Sequence, residues 1–230
     1  MLGAMVSKHY IDAHMRLDTG AVHIWRADLD VVGVGDRLDR LLTAQELARA
    51  QRISSERGRR RWMAAHGVLR ALLGDYLDED PSMLRFAVEG RGKPVLAPHA
   101  KAKLHFNLSH SGPLALYAVT EMCEVGVDVE MRERPLDELA LAERIFGAAE
   151  AERLRTLDPV ARRHAFLRAW VRHEAEAKRT GAGIAADGAQ SVGEVPWIAE
   201  LDAGPGAFAA VALARAPDEL SCLEWPAQAL

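Results

Sequence analysis

The sequence predicts an α+β fold, and three observations carry the prediction. The stretch Val125-Gly126-Val127-Asp128-Val129-Glu130 alternates like a strand, with the valines on one face and Gly126, Asp128 and Glu130 on the other. Apolar residues recur at helical spacing through 46–77 and again through 160–179. Shorter alternating segments lie before, between and after those stretches, so helices and small sheets share each part of the chain. No strict repeat is visible. Both halves still combine helices with strands, and their join near Glu121 gives an extension at 1–20, a first half at 21–121 and a second half at 122–230.

The 230 residues suffice for one large domain or two of ordinary size, and 49% hydrophobic with 27% charged residues is the composition of a soluble globular protein. No apolar run is long enough to span a membrane, and the first twenty residues are broken by Lys8, His9, Asp12, His14, Arg16 and Asp18, so a cytoplasmic protein is expected. Cys123 and Cys222 stand far apart without a C-x-x-C pair, which argues against a disulfide framework or a zinc site. A formal charge of -4 argues against a general nucleic-acid binder while leaving room for a local basic pocket.

In chain order, residues 1–20 read as a loosely ordered extension, with Met5 as an alternative start. Val22-His23-Ile24-Trp25-Arg26-Ala27 alternates as a first strand. Thr43-Ala44-Gln45-Glu46 carries a capping-box pattern, so a helix begins near Thr43. An interruption around 54–58 makes the following pattern two helices or one with a break. Arg49, Arg52, Arg57, Arg59, Arg60 and Arg61 crowd that region, with Arg70 beyond; they read either as a solvated face or as a phosphate surface. A strand at 84–88 leads into the glycine-rich Glu89-Gly90-Arg91-Gly92-Lys93-Pro94. There Gly92 permits close approach and Pro94 fixes the chain, which suits Lys93 against a phosphate and suits an ordinary hairpin turn as well.

From Leu104 an apolar strand runs into a polar tip, where Asn107, Ser109, His110 and Ser111 offer hydrogen bonds to a ligand or to their own turn; 114–119 returns as a strand. In the acidic strand, Asp128 and Glu130 are about 7 Å apart along the backbone, near enough to share a hard cation, and Gly126 leaves room for a ligand. The alternative is a core strand whose polar residues meet water. Arg132-Glu133-Arg134-Pro135 breaks the strand, and short helices follow at 136–146 and 149–157. The helix at 160–179 carries Phe166, Trp170, Glu174 and Lys178 in i, i+4 steps, so Glu174 and Lys178 share nearly one face. Gly181-Ala182-Gly183 ends it, and strands at 195–201 and 207–213 complete the pattern.

Four of these stretches, in this order, resemble the 4'-phosphopantetheinyl transferase family, in its long, Sfp-like branch. They are Gly92-Lys93-Pro94, Phe106-Asn107-Leu108-Ser109-His110-Ser111, Val125-Gly126-Val127-Asp128-Val129-Glu130, and Trp170-Val171-Arg172-His173-Glu174-Ala175-Glu176-Ala177-Lys178 running into Thr180-Gly181-Ala182-Gly183-Ile184. The likeness covers roughly 21–215. It implies two pseudo-symmetric α+β halves, each a small antiparallel sheet packed with helices, with the active site between them in a monomer. It also implies transfer of the phosphopantetheine arm of coenzyme A to a serine of an acyl or peptidyl carrier protein, releasing adenosine 3',5'-bisphosphate, in fatty-acid or secondary metabolism.

By the same resemblance Asp128, Glu130 and Glu174 hold Mg²⁺, with Mn²⁺ as a substitute. Glu174, directly or through a water, is the base, Lys178 contacts the departing phosphate and His110 the pyrophosphate. Ser109, Lys93 and Arg61 hold the 3'-phosphate and adenosine end, and Pro94, His173 and Lys178 belong to the cofactor-binding set. One position departs from the family pattern: His173 stands where a lysine usually precedes the helix glutamate. A polyanionic substrate would favour its protonated form, so binding of coenzyme A is expected to weaken above pH 7 more steeply than with lysine there. The departure also leaves open a catalytically weak or inactive homologue that binds coenzyme A or a carrier, and a magnesium-dependent phosphodiesterase is a further reading that the net charge opposes. Arg132, Arg134 and Arg144, with Leu136, Leu139 and Phe146 nearby, form the candidate carrier-docking surface, although the apolar three serve helix packing equally well.

Overall fold

β1 (Ala21–Asp28) is apolar on both faces, with Val22 and Ile24 on one and Trp25 and Ala27 on the other, so the sheet around it has to be covered twice. The computed structural model describes residues 17–32, 38–90, 93–97, 104–181 and 195–226. In it β1 lies in a four-stranded sheet between β5 (Leu114–Thr120) and β9 (Glu219–Glu224), with β4 (His105–Ser111) at the edge beyond β5. β1 runs antiparallel to β5 and parallel to β9.

One face of this sheet packs on α3 (Glu56–Leu77) through Trp25, Tyr117, Val68 and Leu72. The other packs on a second sheet of order β6 (Val125–Met131), β8 (Ala207–Leu213), β7 (Trp197–Leu201), burying Val22, Ile24, Leu116, Val125, Val127, Val129 and Val211 together. α6 (Pro159–Thr180) covers the far side of the second sheet through Val171 and Ala175. The layers therefore run helix, sheet, sheet, helix, which bears out the α+β class. Each valine buried on β6 contributes about 1.5–3 kcal/mol.

Local signals place the helices. Thr43 forms the full capping box with Glu46 at the start of α2 (Ala44–Ala50), and Ser55 caps α3, so the break falls at 51–55. Asp158 accepts the Val160 and Ala161 N–H groups and Pro159 opens α6. Asp137 caps α4 (Glu138–Phe146), which is followed by α5 (Ala148–Arg155). Leu29–Val32 is a single turn, α1, tied by its Leu29 N–H to the Pro113 carbonyl at 2.6 Å.

Three expectations change. The polar tip is not a turn: β4 stays paired with β5 through Ser111, and the chain reverses at Gly112-Pro113, where Gly112 has φ of +58°. Lys93 and Pro94 belong to β3 (Lys93–Leu96), which forms a hairpin with β2 (Phe86–Glu89). The space beside Gly126 holds no ligand, because a Cβ there would sit 2.0 Å from the Ala175 carbonyl oxygen and 2.4 Å from the Arg179 nitrogen of α6. Gly92, the Ala182-Gly183-Ile184 stretch and residues 1–16 of the extension lie outside the described residues. β9 crosses back from the second half into the first sheet, where Trp225 meets Trp25 edge-on at 6.3 Å between ring centroids. Among the described residues no helix is long and apolar enough to cross a membrane.

Candidate active site

The pleat of β6 turns its valines toward the first sheet and Asp128 and Glu130 toward α6, whose backbone is drawn close by Gly126. Glu174 and Lys178, one helical turn apart on α6, meet these acids. Lys178 Nζ donates to Asp128 Oδ1 at 2.6 Å and to Ser109 Oγ at 2.8 Å. Arg134 pairs with Glu130. All three carboxylates are buried, at 4%, 4% and 7% exposure for Asp128, Glu130 and Glu174.

Burial of charge without full compensation leaves a mark on the acids. Burial first, then the Asp128 and Glu130 carboxylates, push Glu174 up to about 7, with Lys178 and Arg134 opposing. Burial and the neighbouring Asp128 also raise Glu130. Asp128 Oδ2 and Glu174 Oε1 are both buried with no hydrogen-bond partner. These orphaned oxygens, in a set made only of hard carboxylate donors, suit a small divalent cation such as Mg²⁺. Among the described residues no group of three His, Cys, Asp or Glu side chains is placed to hold a metal ion as the side chains stand; Lys178 and Arg134 pair with Asp128 and Glu130 in this arrangement.

Within reach of the Lys178 charge lie groups suited to phosphate. The His110 ring reaches solvent, yet the protein packed around it, followed by the Lys178 and Arg61 cations, holds its pKa below the usual histidine range, so it is a neutral donor at pH 7. Arg61 bonds Asp30 of α1 through two nitrogens, each at 2.7 Å, and Arg57 reaches the same carboxylate at 2.6 Å. The two guanidinium groups hold the Asp30 carboxyl well below the usual range.

Two family models match the chain. One, described as 4'-phosphopantetheinyl transferase, N-terminal, covers residues 36–122; the other, described as 4'-phosphopantetheinyl transferase superfamily, covers residues 124–205. The 4'-phosphopantetheinyl transferase HetI of a Nostoc species is 41% identical over 174 residues, which span 75% of this chain and 73% of that protein. The chain belongs to this superfamily. The 4'-phosphopantetheinyl transferase Sfp of Bacillus subtilis is 30% identical over 162 residues, covering 65% of this chain and 70% of Sfp. AcpT of Salmonella typhimurium, a 4'-phosphopantetheinyl transferase, is 35% identical over 143 residues, covering 61% and 69%. The protein is thus an enzyme of phosphopantetheine transfer.

Within this transferase the structure gathers Asp128, Glu130, Glu174, Lys178, Ser109 and His110 around the β4–β6–α6 junction, and Arg61 of α3 is near enough for its charge to act on His110. Three other residues stand apart. Lys93 is nearly buried, and its ammonium is taken up by Glu124, the Val125 carbonyl at 3.3 Å and the Arg179 carbonyl at 3.1 Å, so all three donors are spent inside the fold. Its strand neighbour Pro94 lies opposite Val88 in the hairpin. His173 packs edge-on against Phe146 with 5.6 Å between centroids, its Nε2 is buried without a partner, and burial lowers its pKa. Without a polyanion beside it, that setting favours the neutral ring.

The Oγ atoms of Ser109 and Ser111 donate to Asp128 Oδ1 and Glu130 Oε2, both at 2.9 Å. The polar-tip pattern of Ser111 and Asn107 in the sequence does not name these partners. The signal was present in the matching period-two spacing of Asn107, Ser109 and Ser111 against Val127, Val129 and Met131. In the candidate docking surface Arg132 and Arg144 are exposed, whereas Leu136, Leu139 and Phe146 pack against the core between α4, α5 and α6.

Proposed function

We propose that the protein transfers the 4'-phosphopantetheine group of coenzyme A to a serine hydroxyl of an apo acyl or peptidyl carrier protein, releasing adenosine 3',5'-bisphosphate. The observation that carries this reading is the convergence of three buried carboxylates, two of them with an orphaned oxygen, beside Lys178 and His110. Asp128, Glu130 and Glu174 are the residues that would hold Mg²⁺, or Mn²⁺ in its place, and the cation would supply charge neutralisation at the pyrophosphate.

The chain's own groups do the rest. Glu174 accepts the hydroxyl proton directly or through a water. Lys178 Nζ, one turn along α6, donates to the oxygen on which charge develops as the bisphosphate leaves. His110 donates its ring N–H to a pyrophosphate oxygen. Arg61 exchanges Asp30 for the 3'-phosphate, whose oxygens match the same two-pronged geometry. Ser109 serves by orienting Asp128, and Lys93 by joining β3 to the end of α6; neither has a donor left for the cofactor in this arrangement. Arg132 and Arg144 offer the exposed positive charge that an acidic carrier would meet.

Incubation with Mg²⁺, coenzyme A and a panel of apo carrier proteins, followed by intact mass, tests the proposal. One or more carriers should gain the arm, and Asp128→Ala should abolish the gain. Absence of modification across the panel, or unchanged turnover in the variant, overturns it.

A further inference from the structure

β4 and β6 are edge strands of different sheets, and no backbone ladder joins them. Their junction is made by side chains instead. Asn107 Oδ1 accepts the Val127 N–H at 2.9 Å, Ser109 Oγ the Val129 N–H at 3.3 Å, and Ser111 Oγ the Met131 N–H at 3.1 Å. The three residues alternate along β4 and their partners alternate along β6, so one strand stitches the other at every second position. All three side chains belong to buried residues.

Two of the stitches do something more. A hydroxyl has one proton, and where its lone pairs are engaged by donors that proton has a single direction left. Ser109 Oγ accepts from both Val129 N–H and Lys178 Nζ, and its proton goes to Asp128 Oδ1. Ser111 Oγ accepts from Met131 N–H and its proton goes to Glu130 Oε2. Each serine thus passes the polarity of a β6 backbone N–H to the carboxylate of the residue just before it. One oxygen of Asp128 is thereby held, and the other, Oδ2, is the buried oxygen without a partner.

We propose that Ser109 and Ser111 are positioning residues for the cation-binding acids: supplied by one half of the chain, they fix the rotation of Asp128 and Glu130, supplied by the other. Asn107 makes the same kind of stitch but offers no hydroxyl to an acid, so it holds the strands together without orienting a carboxylate. The inference rests on the reading of Asp128 and Glu130 as cation ligands under Proposed function. Loss of an outer hydrogen bond to a metal-binding carboxylate weakens binding by about 10-fold to 100-fold.

Titration calorimetry with Mn²⁺ on the full chain, without coenzyme A or carrier, separates the roles, with thermal unfolding as the parallel measurement. Ser111→Ala and Asn107→Ala should lower the melting temperature by similar amounts, since each strands one buried N–H. Only Ser111→Ala should weaken Mn²⁺ binding, by about 10-fold, and Ser111→Thr, which keeps the hydroxyl, should restore it. Equal Mn²⁺ affinity in Ser111→Ala and wild type overturns the inference, as does an equal loss in Asn107→Ala. Should Ser111→Ala fail to fold, Ser111→Cys replaces it: its weak donor should leave Mn²⁺ binding between those of wild type and Asp128→Ala, and wild-type affinity in it counts against the role. If Asp128→Ala itself binds Mn²⁺ as wild type does, the cation reading fails, and it fails separately from the role of the serines.

Discussion

Burial and two neighbouring carboxylates push Glu174 from 4.5 to about 7, so in the absence of a cation the folded protein binds a proton there that the unfolded chain releases earlier. The sign follows: this stabilising contribution is complete below pH 4.5 and is lost as pH rises through about 7. Glu174→Gln keeps the shape and removes the charge. At pH 8 in chelator it should be more stable than wild type, by on the order of 2 kcal/mol, and denaturant titration should show the difference vanishing near pH 5. His66 behaves oppositely. Burial lowers its pKa to about 4, with the Trp62 carbonyl pulling the other way, so its neutral form belongs to the fold. Stability should fall as pH drops from about 6.5 to about 4, and His66→Gln should flatten that slope in urea midpoints taken across the interval. Spacing puts Asp128 with Glu130, and Glu174 with Lys178, on one face of its element, and the family resemblance is what marks the four as site residues. The sequence could not place Lys93 or His173, whose surroundings are supplied by Glu124, Arg179 and Phe146 from elsewhere in the chain.

Elements were legible where periodicity and caps agreed. α2, α3 and α6 begin at Thr43, Ser55 and Asp158, each a side chain that accepts N–H groups of the first turn. β4 was harder, because Asn and Ser favour turns, and only the strand across the junction gives their polar atoms a reason to stay extended. Gly126 shows the same limit, since a glycine beside two acids looks like ligand space until the helix that fills it is known. Gly126→Ala should therefore destabilise by 3 kcal/mol or more, roughly the range for a core clash with no flexible neighbour, and the variant should be insoluble or melt far below wild type. Lys93 fastens the β2–β3 hairpin to the end of α6, where it meets the Arg179 carbonyl. Lys93→Met should lower stability by about 1–3 kcal/mol while the affinity for coenzyme A, measured by calorimetry, stays within about twofold. A large loss of affinity at unchanged stability would return Lys93 to the cofactor.

At the scale of the molecule, the helix-sheet-sheet-helix layering follows from strands that are apolar on both faces, β1 above all, whereas the sequence of 22–27 reads only as an alternating first strand. The path of the last strand was not implied. Glu219–Glu224 is short and begins and ends on an acid, so nothing in it announces a strand, yet it adds to β1 in parallel register from Ala21↔Glu219 to Arg26↔Glu224. Arg26 then bonds Glu224 and the Ala203 carbonyl, and the Trp225 N–H returns to the Arg26 carbonyl at 2.8 Å. The two halves accordingly exchange structure at two places, β9 in the first sheet and the side-chain stitches between β4 and β6. A chain cut at the join should reflect this. Expressed alone, residues 1–121 would present β1 as an open edge with Leu114, Leu116, Val22 and Ile24 uncovered on the face that the second sheet now buries. That fragment should aggregate or remain without cooperative unfolding. Co-expressed with residues 122–230, it should co-purify as one complex on size exclusion, because the second fragment supplies both the missing edge strand and the covering sheet. Independent cooperative melting of the first fragment would show that β9 and the stitches are dispensable to it.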